Sequence, residues 1–427
     1  MGVDRRKTPW GVFFLLLLGM GVIAYYLCGL FLIPDITFEN FQEGLLYIVQ
    51  HPFKNWWTEK TPAFFGVAFL LWIMFVAWYL NYYRNTQFGV EHGSEQWANV
   101  KQLSKTLRDK DDMKNTYLSK NIAVSNNKLS NMNMLVIGGS GSYKTTSILT
   151  PNLFQAAFTN VFLDIKGDLL RKHGKYLKKK GITVKALNFI KPEESDRWNC
   201  FKYVETETDL IRLITNMQKS VKPPDAMKGD PFWDDGVALY LQAMFYYEWL
   251  QALEQGRYGC LNNILKLVNM ESKKIDDEGT TALQAEMNRL AKVKGENYPP
   301  VRDYRKLKEG ATETVRSIVI MVNAMLRLCE TAGVKRIVEE DDIDIKSLGL
   351  GVDGNPNKKT ALFLILPDND DSFNFLIAMF YTQLFDVLIR TADFECGGSL
   401  PIHVRLWADE YYAGPKPLDT EKLMGTI

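Results

Sequence analysis

Cysteine and histidine are scarce in this sequence, and neither residue type clusters. The 427 residues include five cysteines and four histidines, and no two cysteines have the C-x-x-C spacing of zinc and redox motifs. Cys28 lies within an apolar segment. The dispersed pattern argues against a disulfide framework and against a zinc site, and it favours a reducing compartment.

An excess of charge of either sign is also lacking. The chain has 51 lysines and arginines against 50 aspartates and glutamates, which gives a formal net charge of +1. Overall charge therefore gives no signal for nucleic acid, and any contact with DNA requires local patches. Hydrophobic residues make up 46% of the chain, which at this length is enough for several domains with their own cores.

Charged residues are absent from two N-terminal stretches, Trp10 to Ile33 and Ala63 to Leu80. At about 1.5 Å per residue the first reaches about 36 Å, which exceeds the bilayer core of about 30 Å. A signal peptide is the alternative, but the run is longer than an h-region and no small-residue cleavage site follows it. Aromatic collars accompany the second stretch: Trp56, Trp57, Trp78, Tyr79, Tyr82 and Tyr83. The pattern predicts a two-helix membrane anchor with spans at about 10–33 and 63–83.

The charges around these stretches predict the orientation of the anchor. Arg5, Arg6 and Lys7 precede the first span and Arg84 follows the second. The loop between them carries four acids against two lysines: Asp35, Glu39, Glu43 and Glu59 against Lys54 and Lys60. Because lysine and arginine favour the cytoplasmic side, both ends of the anchor are predicted to lie in the cytoplasm.

A glycine-rich turn follows an apolar run in Asn133-Met-Leu-Val-Ile-Gly-Gly-Ser-Gly-Ser-Tyr-Lys-Thr-Thr-Ser147. It matches the phosphate-loop pattern G-x-x-x-x-G-K-[ST] except that Tyr143 replaces the second glycine. The context predicts a buried strand at Met134 to Ile137, then the loop, then a helix from Thr145 that ends at Pro151. The alternative is a glycine-rich hairpin turn, which the non-alternating strand pattern disfavours.

The residue types of this turn suit a polyphosphate. Backbone N–H groups at a helix N-terminus bind phosphate oxygens, and bulky side chains would block the approach of the phosphate to them. Lys144 supplies a cation and Thr145 a hydroxyl for Mg²⁺. The predicted nucleotide-binding residues of the loop are Gly138, Gly139, Ser140, Gly141, Ser142, Tyr143, Lys144, Thr145 and Thr146. Tyr143 is expected to lower affinity, since a side chain there approaches the phosphates and a left-handed backbone costs about 1–2 kcal/mol.

A second strand, Asn160 to Ile165, carries Asp164 near its end. A carboxylate there is placed to hold water or Mg²⁺, so Asp164 is a predicted nucleotide-site residue. An N-cap of the next helix is an equal alternative. That helix has a basic series, Arg171, Lys172, Lys175, Lys178, Lys179 and Lys180. The series is either a solvated face or a path for DNA phosphates.

The remaining pattern predicts an α/β fold with a mostly parallel sheet and an all-α insertion. Gly181 to Asn188 and Thr360 to Pro367 are further strands, and Phe373 to Ile389 is an amphipathic helix. Strand signals vanish from about Thr206 to Lys346, where Asp230-Pro231 marks a helix start. An apolar stripe in this region predicts core packing: Val315, Ile318, Val319, Val322, Met325, Leu326 and Cys329.

Paired acids end the last predicted strand, Ile402 to Glu410. Asp409 is predicted to hold hydrated Mg²⁺, together with Thr145, and Glu410 to activate the attacking water. Lys144 and Glu410 are therefore the predicted catalytic residues. A surface pair of acids is the alternative.

These features divide the chain into five predicted segments. Residues 1–84 form the anchor, 85–130 a polar connector, and 131–205 the first part of a nucleotide-binding domain. Residues 206–346 form an all-α domain, and 347–427 form the second, incomplete part of the nucleotide-binding domain.

Six motifs together resemble the VirD4/TraG coupling proteins of type IV secretion and conjugation. They are the glycine loop followed by Pro151-Asn-Leu153, Leu163-Asp-Ile-Lys-Gly-Asp168, Asp196-Arg-Trp-Asn-Cys-Phe201, Asp230-Pro-Phe-Trp233, Leu366-Pro-Asp-Asn-Asp370 with Tyr381-Thr-Gln-Leu-Phe385, and Ala408-Asp-Glu-Tyr-Tyr412. The resemblance covers nearly everything from Gly93 onward. It implies a RecA-like P-loop ATPase that uses ATP and Mg²⁺, forms a homo-hexamer at the bacterial inner membrane, and passes relaxase-bound single-stranded DNA to the secretion channel.

The sequence departs from this family at two points. Glycine is expected where Tyr143 stands, and the sequence given stops at Ile427, before the strands that complete the sheet in the family. These departures keep two alternatives open. One is a non-hydrolysing membrane docking platform for the relaxosome, and the other is an FtsK/HerA-like DNA pump that shares only the motor fold.

Overall fold

The structure, a computed structural model, describes residues 9–34, 36–37, 40–85, 97–126, 131–139, 141–221, 230–277, 279–411, 414–417 and 420–426. The chain divides into two compact units, Met1–Ala98 and Asn99–Ile427. The predicted roles of Arg5, Arg6, Lys7, Asp35, Glu39 and Ser140 fall outside the described residues.

In the described part of the first unit, the α-helices are α1 (Trp10–Gly29), α2 (Phe41–Gln50) and α3 (Thr61–Asn85). Two of its segments, Trp10–Leu32 and Thr61–Asn81, are long and apolar enough to cross a membrane. Both predicted spans are therefore helices suited to membrane anchoring. A third segment of this length and composition, Asp371–Glu395, belongs to the second unit and is more than half buried there.

Close contacts join α1 to α3 and to the connection between them. Trp72 Nε1 donates a 2.8 Å hydrogen bond to the carbonyl of Phe13, and the rings of Phe13 and Tyr79 lie edge to face at 5.1 Å. Trp56 is fully buried against Gly29, where an added Cβ would lie 2.9 Å from Trp56 Cβ. Since that distance is too short for any side chain, the tight approach depends on the glycine.

The second unit contains the remaining helices and strands. In chain order they are α4 (Val100–Leu107), β1 (Asn115–Tyr117), β2 (Ala123–Ser125), α5 (Thr150–Gln155), β3 (Thr159–Ile165), α6 (Asp168–Lys179), β4 (Thr183–Asn188), α7 (Glu207–Val221), α8 (Pro231–Glu254), α9 (Leu261–Glu271), α10 (Ala282–Lys294), α11 (Pro299–Lys308), α12 (Thr312–Leu326), α13 (Ala332–Ile337), α14 (Ile345–Leu350), β5 (Thr360–Leu366), α15 (Asn374–Arg390), β6 (Val404–Ala408) and α16 (Thr420–Thr426).

Four parallel strands in the order β4-β5-β3-β6 form the main sheet. The inner strands β3 and β5 are almost wholly buried, as expected for apolar runs covered on both faces. Alternate residues face two cores. Phe162 and Phe363 pack with α5 and α6 on one side, while Leu163 and Leu364 belong to the large core shared with the helical region. The predicted α/β fold with a parallel sheet is confirmed.

The helical region begins and packs as its sequence predicts. Asp230 caps α8 by accepting a 3.0 Å hydrogen bond from the N–H of Phe232, and Pro231 occupies the first helical position. Val315, Ile318, Val319, Val322, Leu326 and Cys329 are all buried in the large core, which confirms that this stripe is core packing. Among the described residues from 206 to 346, the β-structure is limited to an isolated bridge between Lys274 and Thr281. The all-α insertion is confirmed, while the five predicted segment boundaries stay a prediction.

Two local predictions around the glycine loop are wrong. Met134 to Ile137 do not form a strand, and all four side chains are exposed, Ile137 to 87%. An apolar run favours burial, but a strand also needs a neighbouring strand to pair with. The described sheet ends at β6, so this run has no described strand beside it. Pro151 does not end the helix, which continues through α5 to Gln155.

The connector contains more regular structure than its polar composition predicts. β1 and β2 pair antiparallel, and the side chain of Asn152 ties this pair to α5. Asn152 Oδ1 accepts a 2.8 Å hydrogen bond from the N–H of Tyr117, and Asn152 Nδ2 donates a 2.8 Å hydrogen bond to the carbonyl of Tyr117. These two tertiary bonds stabilise strands that are too short to be recognised from local pattern.

Candidate nucleotide site

The carboxyl ends of β3, β5 and β6 lie side by side at one edge of the sheet. Ile165 pairs with Leu366, and Leu163 pairs with Ala408. Because the three strands are parallel, the residues that follow them meet at this edge, which is where open α/β sheets bind ligands. Lys166, Pro367 and Asp409 are the first residues after the three strands.

The glycine loop has the backbone of a tight left-handed turn. Gly141 has φ +74° and Tyr143 has φ +59°, and the N–H of Ser142 donates a 3.3 Å hydrogen bond to the carbonyl of Gly139. A Cβ at Gly138 would lie 2.5 Å from Ser142 Oγ, so any larger residue there would require the Ser142 side chain to move. Tyr143 adopts the conformation predicted to cost it about 1–2 kcal/mol, and its side chain is 76% exposed.

Lys144 folds back over this turn. Its Nζ donates hydrogen bonds to the carbonyls of Gly138, at 2.7 Å, and Gly139, at 3.0 Å. The ammonium group is thus held against the loop that the sequence assigns to phosphate. A phosphate oxygen is a charged acceptor and offers a stronger bond than these neutral carbonyls.

A widened helical turn follows the loop. Thr145–Leu149 form a π-turn, and Thr150 donates a 3.0 Å hydrogen bond from Oγ1 to the carbonyl of Thr145. Such turns are rare and concentrate at functional sites. Pro151 has no N–H to donate, and the irregular hydrogen bonding of this turn accommodates it within the helix.

The predicted magnesium residues are in direct contact. Thr145 Oγ1 donates a 2.7 Å hydrogen bond to Asp409 Oδ2. Glu410 follows in a left-handed turn with φ +55° and donates its N–H to Asp409 Oδ1 at 3.2 Å. The loop and the acid pair, which the sequence predicts as two halves of one site, therefore lie together. Thr146 is exposed on the same helical turn.

Asp164 makes the contacts of a helix cap. This side chain is 2% exposed, and its two carboxylate oxygens accept hydrogen bonds from the N–H groups of Leu169 and Leu170, at 3.0 and 2.8 Å. Burial raises the pKa of Asp164, while these backbone bonds oppose the rise. The contacts correspond to the capping alternative that the sequence left open, at the start of α6.

The basic face of α6 is partly neutralised at its N-terminal end. Arg171 and Lys172 both pair with Asp168 one turn earlier, and the side chains of all three are more than two-fifths exposed. Exposed pairs of this kind are typical of a solvated helix face.

Sequence reasoning assigned no site role to one ion pair at this edge. Lys166 Nζ lies 2.7 Å from Asp368 Oδ2 and joins the residues that follow β3 and β5. Lys166 has φ +76°. The signal that could have found the pair is the position of each residue, since Lys166 is the first residue after β3 and Asp368 the second after β5, and the carboxyl ends of these strands are adjacent.

Residues 96–413 match the family described as Type IV secretory system, conjugative DNA transfer. The chain belongs to this family. The match spans both the glycine loop and the acid pair. Family membership implies a role in conjugative DNA transfer, with DNA and the secretion system as partners.

Comparison with curated proteins found no matching relative. Among solved structures, the unbound monoclinic form of the bacterial conjugative coupling protein TrwBdeltaN70 is 13% identical, with a TM-score of 0.47 over 77% of this chain and 73% of that one. Plasmid coupling protein TrwB in complex with a non-hydrolysable ATP analogue, ADPNP, is 15% identical, with a TM-score of 0.44 over 67% and 58%. Its complex with ADP and Mg²⁺ is 13% identical, with a TM-score of 0.44 over 73% and 71%.

The groups gathered around the glycine loop and the acid pair fit a nucleotide with its metal. The hydroxyl of Thr145 and the carboxylate of Asp409 are hard oxygen ligands of the kind that Mg²⁺ prefers. Lys144 supplies a cation beside a turn whose glycines leave room for phosphate, since an added Cβ at Gly139 or Gly141 would meet nothing within 4 Å. Tyr143 is the departure from the glycine pattern, and its side chain is 76% exposed.

Proposed function

We propose that this protein is a membrane-anchored ATPase coupling protein that delivers relaxase-bound single-stranded DNA to a type IV secretion channel. The observation that carries the proposal is the 2.7 Å hydrogen bond from Thr145 to Asp409. It brings the glycine loop to the acid pair, as a magnesium-nucleotide site requires. Family membership supports DNA transfer as the process served.

ATP and Mg²⁺ are the proposed cofactors. Thr145 and Asp409 would hold the metal, which neutralises charge on the phosphates when bound. Lys144 would exchange its bonds to the carbonyls of Gly138 and Gly139 for bonds to phosphate oxygens. Glu410, on the exposed turn after Asp409, would orient the attacking water and accept its proton.

The proposed setting is the bacterial inner membrane, crossed by α1 and α3. The helices have the length and composition of spans, and the lysines and arginines outside them favour cytoplasmic ends. Both termini and the nucleotide site would then face the cytoplasm, where the relaxosome and its DNA are found. A homo-hexamer and contact with the secretion channel belong to the same proposal.

A docking platform without ATP turnover is the second candidate function. Tyr143 favours it, because a left-handed tyrosine with φ +59° stands at the pattern position of a glycine. In this alternative the helical region recruits the relaxosome, and the nucleotide site does not hydrolyse ATP.

A conjugation assay, which measures DNA transfer from donor to recipient cells, separates the two candidate functions. Donor cells would carry the unchanged protein, Lys144→Ala, Glu410→Gln or a control, Lys358→Ala, whose ion pair with Asp353 precedes β5 at the far end of that strand. The ATPase proposal predicts that transfer falls on the order of 100-fold or more for Glu410→Gln and at least as far for Lys144→Ala, at equal membrane levels. Unchanged transfer in both variants would contradict it and favour the platform.

A further inference from the structure

The ammonium group of Lys166 lies at the edge of the sheet that carries the nucleotide site. Lys166 directly follows β3, the strand that pairs with β5 on one side and β6 on the other. Its Nζ is 2.7 Å from Asp368 Oδ2. The pKa of Lys166 is raised, chiefly by the hydrogen bond to Asp368 and less by the nearby charges of Asp168 and Glu410. Lys166 and the proposed catalytic base Glu410 thus follow neighbouring strands, β3 and β6, at this edge.

The backbone at this point is held in an unfavourable conformation. Lys166 and Gly167 are both left-handed, with φ +76° and +72°, and only the second is a glycine. The N–H of Lys166 donates a 3.0 Å hydrogen bond to the carbonyl of Leu366, which fixes the turn. Tyr143 and Glu410 are also left-handed. Strained residues of this kind cluster at ligand sites, where the surrounding structure holds them in place.

The ion pair itself is too exposed to explain this arrangement. The side chain of Lys166 is 60% exposed and that of Asp368 is 55% exposed, and exposed pairs contribute little net stability. One of the three ammonium donors faces Asp368. A terminal phosphate carries more negative charge than one carboxylate and offers several oxygens, so it competes well for such a lysine.

We propose that Lys166 is a second phosphate-binding lysine, which exchanges Asp368 for the terminal phosphate of a bound nucleoside triphosphate. The inference rests on the proposed function, since it requires a nucleotide at this edge. A nucleoside diphosphate lacks the terminal group and leaves the pair between Lys166 and Asp368 in place. Lys166 therefore contributes to the distinction between triphosphate and diphosphate.

Equilibrium binding of ADPNP and ADP with Mg²⁺ to the full chain in detergent tests the inference. Lys166→Ala is expected to weaken ADPNP binding about tenfold, the value of one charge-assisted hydrogen bond, and to change ADP binding less than about twofold. Lys166→Arg should retain much of the preference for ADPNP over ADP. Asp368→Asn releases the lysine and should leave ADPNP binding equal to or tighter than that of the unchanged protein.

Lys358→Ala is the matched control, because it removes a lysine of similar exposure from an ion pair with Asp353 at the opposite end of β5. It should alter neither affinity, and thermal unfolding should show that every variant is folded. Equal losses for ADPNP and ADP in Lys166→Ala, or no loss in either, overturn this inference alone. Failure of the unchanged protein to bind either nucleotide overturns the proposed function as well.

Discussion

Thr145 and Asp409 are 264 positions apart in the chain, yet the hydroxyl of one donates a 2.7 Å hydrogen bond to the carboxylate of the other. Thr145 begins the helical turn after the glycine loop, and Asp409 directly follows β6. The bond therefore joins the loop to the end of an outer strand of the described sheet. Replacement of either residue should therefore change the binding of Mg²⁺ and nucleotide at this point.

Tyr143→Gly should raise both stability and nucleotide affinity. Tyrosine at φ +59° costs about 1–2 kcal/mol relative to glycine, and the greater freedom of glycine in the unfolded chain offsets part of this gain. A rise in the unfolding midpoint should accompany tighter ADPNP binding, because the ring no longer stands beside the phosphates. Thermal unfolding and equilibrium binding measure the two effects.

Asp353→Gly is the control for this change. Asp353 is also left-handed, with φ +56°, and lies just before β5 rather than after it. It should gain stability without any gain in affinity. Equal affinity of Tyr143→Gly and the unchanged protein would show that the tyrosine does not hinder nucleotide.

Asp164→Asn should destabilise the fold without weakening nucleotide binding by the folded protein. The buried carboxylate accepts two backbone N–H groups of α6, and leaving one of them unsatisfied costs about 1–3 kcal/mol. Chemical denaturation gives the loss, and ADP affinity gives the comparison. Asp168→Asn, which alters only exposed pairs, should be nearly neutral. Normal stability with lost affinity would instead make Asp164 a ligand.

Much of the fold could be predicted because its signals are local. β3 and β5 are continuous apolar runs, and the observed strands Thr159–Ile165 and Thr360–Leu366 lie within about a residue of the predicted limits. The start of α8 could be predicted because Asp230 and Pro231 act within a single turn. The contact between the glycine loop and the acid pair could be predicted from the chemistry of the two motifs, because a magnesium-nucleotide site needs both of them at one ligand.

What could not be predicted depends on distant partners. Met134 to Ile137 have the composition of a strand, but strand formation requires a pairing partner, which no local pattern supplies. Asp164 could be assigned either to the ligand or to a cap, since both require a carboxylate at a strand end. The pair of Lys166 with Asp368 joins residues separated by the entire helical region, so neither residue alone signals the other.

Asp209 should make the fold sensitive to acid. Burial raises the pKa of Asp209, but hydrogen bonds from Thr206 and the charge of Arg390 outweigh it, so the pKa lies below its ordinary value. Arg390 Nη1 is 3.1 Å from Asp209 Oδ1, which ties α7 to α15. A lowered pKa means stability that is present above about pH 4, the ordinary value, and is lost as the pH falls through the folded-state pKa.

Asp209→Asn should remove this pH dependence. The variant should lose about 1–3 kcal/mol near neutral pH, since it breaks bonds to a charged group, and its stability should fall less than that of the unchanged protein below about pH 4. Denaturant unfolding over a series of pH values measures both effects. A parallel decline of the two proteins would show that Asp209 does not contribute.

The loop between the two spans should face away from the cytoplasm. Phe53 is fully exposed between α2 and α3, so a cysteine placed there by Phe53→Cys should react with a membrane-impermeant maleimide in intact cells. The native Cys396, in the second unit, should react only after the inner membrane is permeabilised. Labelling of both cysteines under the same condition would contradict the two-pass topology.

Magnesium-dependent binding of ADPNP to the full chain tests the central claim most directly. The unchanged protein should bind ADPNP more tightly with Mg²⁺ than with a chelator present. Asp409→Asn should lose this dependence, and Lys144→Ala should weaken binding by at least about tenfold, or 1.4 kcal/mol. Binding by both variants that matches the unchanged protein, with the same response to Mg²⁺, would contradict a nucleotide site between the glycine loop and the acid pair.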